Sequence, residues 1–314
     1  MKWKEQFSLG IVHPQIFPET ARGEEAVLET LLMLISGGFF DAVEITSIKD
    51  AAVRSRAKDL LQEHGIRTVY SCAPPILMNK LNLNALRQEE RAEHLWRVKE
   101  YLDEAVFMEA EIFTVLSGPD PGQEKRVEAR EALVASLQEL CEYAAKHSQA
   151  LTITLETFDR QVDKKCLVGP TLEAVQVARE VTGAGHQNFG LTLDQGHLPL
   201  LDEDPQDAIY SALPYLFHAH LGNCVKSTRE HPLYGDQHPR FGLEGCQLGL
   251  TDLVSFLGVL AECGFLDDSK AKGRKPILSF EVKPALGENP LDTLQETKET
   301  WLQAWEKAKK EKKL

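Results

Sequence analysis

Four side chains that commonly bind divalent metal ions stand near the ends of four apolar segments. The segments are LTITLE, FGLTLD, LFHAHLG and ILSFE, and the residues are Glu156, Asp194, His220 and Glu281. Aspartate is disfavoured inside strands, so Asp194 alone indicates either a turn, which Gly196 also favours, or a functional role. Two glutamates, an aspartate and a histidine in equivalent positions form an oxygen-rich ligand set. Such a set favours Mn²⁺, and it also suits Mg²⁺, Co²⁺ or Zn²⁺.

The neighbours of these residues indicate which way they point. Side chains alternate along a strand, so every second residue shares one face. The residues two places before the four candidates are small or polar, namely Thr154, Thr192, His218 and Ser279. The intervening Leu155, Leu193 and Phe280 are apolar. We therefore expect the candidates to face a common interior. One step deeper on its strand, His218 is expected to be a hydrogen-bonded core histidine.

A metal ion held by this set supports one particular kind of chemistry. With open coordination positions, it would bind the carbonyl and hydroxyl oxygens of a hydroxy-carbonyl compound and would stabilise the enediolate left when the hydroxyl-bearing carbon loses a proton. Glu156 and Glu281 come from opposite sides of the expected assembly, so one can act as base and the other as conjugate acid. These residues predict proton transfer at a carbon next to a carbonyl group.

Eight strand-like segments alternate with helical patterns along the whole chain. The predicted strands are 7–12, 42–45, 67–72, 112–116, 151–155, 189–193, 216–220 and 277–282. Strict alternation requires a parallel sheet covered on both faces. Eight such units close into an α/β fold of the (β/α)8 type, the TIM barrel, here a single domain over residues 1–314. An open doubly wound sheet is the main alternative, but no G-x-G-x-x-G motif follows the first strand.

Two of the predicted helices have defined starting points. One helix is predicted over 19–35, and another is predicted to begin at Thr251, which would cap it.

Two long connections are expected at the site. The connections over 157–169 and 222–250 both follow the carboxyl ends of strands, where barrel enzymes carry their chemistry. In the first, Lys164 is either a solvated charge or a contact to a substrate oxygen. In the second, His238 and Arg240 belong to a substrate clamp or to a surface excursion.

The composition argues against several classes of partner. Lys and Arg number 35 against 48 Asp and Glu, a formal net charge of −13, which argues against broad binding of nucleic acid or anionic membranes. No apolar run approaches the roughly 18 residues of a membrane span. The six cysteines form no C-x-x-C pair, and no signal-peptide pattern opens the chain. Both features favour a reduced, cytoplasmic protein.

The ordered set of strand ends resembles the sugar phosphate isomerase/epimerase family, the xylose isomerase-like barrels. The resemblance is carried by Glu156 in LTITLETFD, by the DQGH motif at 194–197, by the HAHLGN motif at 218–223 and by the FEVK motif at 280–283. It implies an isomerase acting on a small sugar or sugar phosphate, with homo-oligomerisation left open. The metal ligands it implies are Glu156, Asp194, His220 and Glu281, the two glutamates being also the acid/base pair.

The same resemblance suggests substrate contacts, and there the sequence departs from the family. His197 corresponds to a substrate-binding histidine. Epimerases of the family carry an arginine in the loop after the ligand histidine, whereas here Lys226 stands six residues on, with Arg229 and Arg240 beyond. This departure concerns the identity of the substrate more than the reaction.

Two other enzyme classes remain open from the sequence. A lyase resembling inosose dehydratase would share the enolate step and then expel a hydroxyl. A metallo-phosphodiesterase of the abasic-site endonuclease type would need several metal ions, more histidine ligands and a basic groove. His13 and Glu44 end the first two strands, where a rim role and a capping role are equally compatible with the pattern.

Overall fold

A closed barrel of eight parallel strands forms the centre of the molecule, in the order β1 to β8. The computed structural model describes residues 2–24, 26–267 and 275–314. The strands are β1 Ser8–Val12, β2 Ala42–Ile45, β3 Arg67–Ser71, β4 Ile112–Leu116, β5 Thr152–Glu156, β6 Phe189–Asp194, β7 Leu216–Gly222 and β8 Ile277–Glu281. β8 closes the ring by pairing with β1, where Ser8 lies opposite Ile277. The predicted (β/α)8 barrel is therefore confirmed.

Helices separate the strands and cover the outside of the barrel. They are α1 His13–Ile16, α2 Val27–Ile35, α3 Ala51–Glu63, α4 Ala73–Met78, α5 Gln88–Phe107, α6 Arg126–His147, α7 Thr171–Gly183, α8 His197–Leu200, α9 Pro205–Ala212, α10 Leu250–Glu262 and α11 Pro290–Lys310. The short helices α1, α4 and α8, which we did not predict, directly follow β1, β3 and β6. Proline at the first turn of α1 and α4 suits helix initiation, because that position needs no amide donor.

The single helix predicted over 19–35 is wrong. A 3₁₀ helix, Pro18–Arg22, ends at Gly23, and α2 begins only at Val27. Gly23 has φ of 70°, and a Cβ there would lie 2.0 Å from the Ser47 carbonyl oxygen. The helix must therefore end at Gly23, because the backbone packs there against the segment after β2. The spacing of apolar residues along a helix does not predict this contact.

The predicted cap of α10 is also wrong. The capping residue is Gly249, whose amide donates to Asp252 Oδ2 at 2.8 Å. Thr251 is the second residue of the helix. The carboxylate of Asp252 thus satisfies a backbone donor at the helix start in place of the threonine hydroxyl.

The barrel interior is polar in the layer below the carboxyl ends of the strands. The hydroxyl groups of Thr114, Thr154 and Thr192 form a chain, with oxygen–oxygen distances of 3.1 and 2.9 Å. His218 Nε2 lies 2.9 Å from Ser279 Oγ, as expected for a hydrogen-bonded core histidine. This layer forms a floor beneath the residues that end β5 to β8.

The outside of the barrel is sealed by apolar contacts. Trp301 on α11 is fully buried and packs edge-on against Trp3 and Phe7, with ring centroids 5.5 and 5.8 Å apart. The closing helix thus covers the junction of the first and last strands. In the described part of the chain no helix is long and apolar enough to cross a bilayer, and the six cysteines carry free thiols.

Candidate active site

The structure brings Glu156, Asp194, His220 and Glu281 together. One ligand atom from each lies within 4.8 Å of the others. His220 Nδ1 is 3.2 Å from Glu156 Oε1 and 2.8 Å from Glu281 Oε2. All four are buried, with Glu281 the most exposed at 8%. The four positions meet because neighbouring parallel strands end at the same rim of the barrel.

A glycine next to the cluster leaves space for Asp194. A Cβ on Gly222 would lie 2.5 Å from Asp194 Oδ1, so this carboxylate occupies the place of a missing side chain. The amide of Gly196 donates to the same oxygen at 2.6 Å. Asp194 Oδ2 has no hydrogen-bond partner among the described residues and faces the cluster. One carboxylate oxygen of Asp194 is thus held by the backbone, and the other is free to bind a cation.

The donor set fits a divalent cation. Glu281 Oε2 accepts no hydrogen bond from the described residues, although His220 Nδ1 is only 2.8 Å away. This close approach without hydrogen-bond geometry is expected where two ligand atoms point at a common centre. Three carboxylates and one imidazole supply the mostly hard ligands of Mn²⁺, Mg²⁺ or a similar ion.

The charges of the cluster also call for a cation. Burial raises the pKa of Glu156 to about 7, against the lowering effect of His220. Burial also raises the pKa of Asp194. For His220, burial lowers the pKa, but the surrounding carboxylates outweigh it and raise the pKa well above its ordinary value. Protonated imidazole thus balances part of the negative charge that a bound cation would balance instead.

A second group of ligand-type side chains adjoins the first. His197 Nε2 lies 3.0 Å from Asp236 Oδ1, and His238 Nε2 lies 2.9 Å from the same oxygen. His238 reaches back to the first cluster, with Nδ1 3.7 Å from Asp194 Oδ2. The ligand atoms of Asp194, His197 and His238 fall within 4.8 Å of one another. These residues can hold a second ion beside the first.

His197 lies between the first cluster and the second group of ligand-type side chains. Its Nδ1 is 2.6 Å from the Thr157 carbonyl oxygen, which can only accept, so Nδ1 carries the hydrogen. Its Nε2 then meets Asp236 either as the second N–H of a charged ring or as a ligand to a cation. His197 was expected to contact substrate, but it is fully buried and is not part of the cavity wall.

A cavity of about 290 Å³ opens above the cluster. Glu281 and His238 reach it from the cluster, and Lys164 and Lys283 bring positive charge to its wall. Gln15 also lines it and donates from Nε2 to Glu281 Oε1 at 2.9 Å. The remaining wall is mainly apolar, formed by Val12, Pro14, Pro18, Ala21, Ala73, Pro74, Leu77, Met78 and Phe158. The cavity has the dimensions of a small-molecule site.

Three expected substrate contacts lie elsewhere. Lys226 Nζ donates to the Pro199 carbonyl at 2.7 Å and pairs with Asp202. Arg240 Nε lies 3.2 Å from Glu288 Oε1 and 2.9 Å from Glu296 Oε2. Arg229 is exposed. None of the three lines the cavity, because the middle of the loop turns inward and its flanks are held on the rim by acidic residues.

The loop after β7 is fixed over the site at several points. Asn223 accepts from the Leu248 amide and donates to the Leu248 carbonyl, both at 2.9 Å, which closes the base of the loop. Val225 and Gly235 pair through their backbones. His238 adopts φ of 49°, which is uncommon for residues other than glycine, and its carbonyl accepts from the Lys283 amide at 2.7 Å. This anchoring holds Asp236 and His238 in place.

The sequence left Asp236, Gln15 and Lys283 unassigned. Gln15 and Lys283 follow the ends of β1 and β8, so their place at the rim was a usable signal. Asp236 lies inside a long loop without periodic pattern, and only the loop length drew attention to it. Of the two residues left open, His13 is buried against Thr30 at 2.8 Å, whereas Glu44 lies 2.9 Å from His220 Nε2.

Fold and site together define a class: a parallel barrel that carries a buried cluster of carboxylates and histidines at the carboxyl ends of its strands. The chain belongs to the xylose isomerase-like TIM barrel family, whose model matches residues 37–304. The resemblance noted from the sequence is thereby confirmed. A sequence comparison with curated proteins gave no match.

Solved structures share the architecture over nearly the whole chain. An L-ribulose 3-epimerase superposes with a TM-score of 0.72 at 15% identity, covering 97% of this chain and 96% of that chain. A D-tagatose 3-epimerase-like protein gives 0.69 at 19% identity, covering 96% and 99%. A 3-keto-D-glucoside 4-epimerase from E. coli gives 0.65 at 15% identity, covering 95% and 98%. At such identities the similarity establishes the fold.

Proposed function

We propose that the protein is a metal-dependent isomerase or epimerase of a ketose, a sugar phosphate or a related hydroxy-carbonyl compound. The observation that carries this proposal is the convergence of Glu156, Asp194, His220 and Glu281 at the mouth of a barrel, beneath a small cavity. Similarity to sugar epimerases supports the same reaction class.

The four residues would hold one divalent ion, with Mn²⁺ favoured. When bound, the ion stabilises negative charge on the substrate oxygens next to the carbon that loses its proton. Asp194 and His220 serve only as ligands in this scheme. Asp194 Oδ1 accepts from the Gly196 amide and His220 Nε2 lies against Glu44, so each residue has one atom left to offer the ion.

Glu281 and Glu156 form the proposed acid/base pair. Glu281 lines the cavity, and Gln15 donates to its Oε1, which orients the carboxylate towards a bound molecule. Glu156 belongs to β5 and Glu281 to β8, so they meet the cluster from different strands. One carboxylate removes a proton from the carbon next to the carbonyl group, and the other returns a proton to the product.

The cavity favours a small, partly polar substrate. Lys164 and Lys283 offer charged donors to substrate oxygens, and His238 stands between the cavity and the cluster. Structures of relatives include a D-psicose 3-epimerase with D-tagatose and a D-allulose 3-epimerase with D-allulose. We propose Lys164, Lys283 and His238 as substrate contacts, with His197 supporting His238 through Asp236.

Two further aspects of the proposal concern the whole chain. We assign all 314 residues to one barrel domain, because the strands and helices of the ring run from residue 8 to residue 310. We also place the protein in the cytoplasm, since six free thiols suit a reducing compartment.

Two other functions would use the same residues. A lyase on the same metal site would use the same proton abstraction and then expel a neighbouring hydroxyl. A metallo-phosphodiesterase is favoured by the second group of Asp194, His197 and His238, because two neighbouring ions can stabilise the attacking and leaving oxygens of a phosphate diester. The net charge of −13 disfavours a nucleic-acid substrate.

Deuterium exchange distinguishes the isomerase, the lyase and the phosphodiesterase. The Mn²⁺-loaded protein is incubated with a panel of ketoses and ketose phosphates in D₂O, and the sugars are examined by NMR. We expect deuterium at a carbon next to the carbonyl group in the substrate and its isomer. Loss of a hydroxyl would instead identify a lyase. Hydrolysis of bis(4-nitrophenyl) phosphate without any deuterium uptake would refute the isomerase proposal in favour of the phosphodiesterase.

A pair of matched variants ties the exchange to the site. E281Q should abolish deuterium uptake while circular dichroism shows a folded protein, since the amide cannot accept the substrate proton. E288Q removes the charge of a rim glutamate that pairs with Arg240 and should retain uptake. Wild-type uptake in E281Q would remove Glu281 from the mechanism.

A further inference from the structure

Glu44 is a buried carboxylate that lies against the far side of His220. It belongs to β2 and has no exposed surface. Its Oε2 lies 2.9 Å from His220 Nε2, so the two residues meet across the barrel interior. The contact is on the ring nitrogen that points away from Glu156 and Glu281.

This hydrogen bond determines which nitrogen of His220 faces the cluster. An ionised carboxylate only accepts, so Nε2 must carry the hydrogen. In the neutral ring Nδ1 then carries the lone pair. Nδ1 is the atom 3.2 Å from Glu156 Oε1 and 2.8 Å from Glu281 Oε2. The neutral ring would therefore present the lone pair of Nδ1 to the place where the ion would lie.

The surroundings of Glu44 offer it little else. Its Oε1 has no hydrogen-bond partner among the described residues. His218 Nε2 lies 3.8 Å from Glu44 Oε2 and is bonded to Ser279 Oγ instead. A carboxylate buried with a single hydrogen-bond partner is costly, and an apolar side chain would suit the position better for stability alone. A role at His220 accounts for its presence.

We propose that Glu44 is a positioning residue for metal binding, which holds the ring of His220 so that Nδ1 points to the ion. Its negative charge also makes that nitrogen a stronger ligand. The inference rests on the proposed metal site and goes beyond it by adding a residue outside the four proposed ligands. Glu44 does not line the cavity, so its effect belongs to metal affinity and not to KM.

Competition with a chelator measures the effect on the metal-depleted, full-length protein. Loss of such a partner commonly weakens metal binding by about 10–100-fold. For E44Q we expect about tenfold weaker Mn²⁺ binding, because the amide oxygen still accepts from Nε2 without the charge. For E44A we expect about 100-fold weaker Mn²⁺ binding. The control S279A changes the His218 contact one layer below and should keep the wild-type affinity.

A second readout separates positioning from loss of charge. In the Zn²⁺-loaded protein, the ¹⁵N signals of one histidine disappear in H220Q and so belong to His220. We expect them to show a metal-bound Nδ1 and a protonated Nε2 in the wild type and in E44Q. In E44A this pattern should be lost or mixed. Circular dichroism identifies folded variants, and if E44A does not fold, E44Q alone decides.

The possible results distinguish the role of Glu44 from the proposed catalytic function. Wild-type Mn²⁺ affinity in E44Q overturns the role of Glu44, as does an unchanged Nδ1-bound signal in folded E44A. A wild-type protein that binds no Mn²⁺ overturns both the metal site and this inference. Weakened binding in the variants, together with no deuterium exchange in the wild type, supports Glu44 and refutes only the proposed catalysis.

Discussion

Replacing Gly222 by alanine should damage the metal cluster while leaving the barrel folded. The new Cβ would lie 2.5 Å from Asp194 Oδ1 and 3.0 Å from Asp194 Cγ. Ordinary contact needs about 3.5 Å, so the carboxylate must move by roughly 1 Å. The Gly196 amide holds the same oxygen at 2.6 Å, which opposes that movement. In G222A the strain would therefore fall on the Asp194 carboxylate, because Gly222 only provides the space for it.

The size of the effect follows from the tolerance of metal sites. Ligand distances in such sites vary by only about 0.2 Å, so a shift of this size removes Asp194 from the first coordination sphere. We expect G222A to bind Mn²⁺ at least about 100-fold more weakly, since losing a ligand exceeds the effect of losing a ligand's partner. Overpacking should also lower the free energy of unfolding by about 1–3 kcal/mol.

Chelator competition and urea unfolding test this prediction together. G183A is the matched control, because Gly183 ends α7 and a Cβ there meets nothing within 4 Å. That variant should match the wild type in Mn²⁺ affinity. A folded G222A with wild-type affinity would show that Asp194 is not a ligand, or that the ion lies elsewhere.

Three further predictions address the cavity, the protonation of the cluster and the loop. K283M should raise KM about tenfold for the substrate that exchanges deuterium, as expected for a lost charged donor, whereas R240M, on the rim, should leave KM unchanged in the same steady-state assay. Mn²⁺ affinity should rise with pH, since His220, whose pKa is raised well above its ordinary value by the carboxylates around it, must lose a proton to bind. Calorimetry in two buffers of different ionisation enthalpy should show proton release, and identical enthalpies would contradict this. D236N should lower the free energy of unfolding by about 3 kcal/mol, because the carboxylate lies buried between two imidazoles and Lys164. An unchanged urea midpoint would show that the loop is held by its other contacts.

The barrel and the four candidate ligands could be predicted from the sequence alone. Alternating apolar strands and helices allow few arrangements, and eight such units close on themselves. Parallel strands then place their carboxyl ends at one rim, so Glu156, Asp194, His220 and Glu281 had to lie near each other. Local spacing carried this information because strands have a strict period of two.

The residues that contact the cluster from outside those four strand ends could not be predicted, because they depend on how the whole chain folds. Glu44 bonds His220 across the barrel, a contact set by register around the whole ring and not by spacing. Asp236 reaches His197 because its loop folds inward, while Lys226 and Arg240 pair with acids on the rim. Loops have no period from which a facing direction can be read, and a long charged side chain binds whichever partner the fold places within its reach.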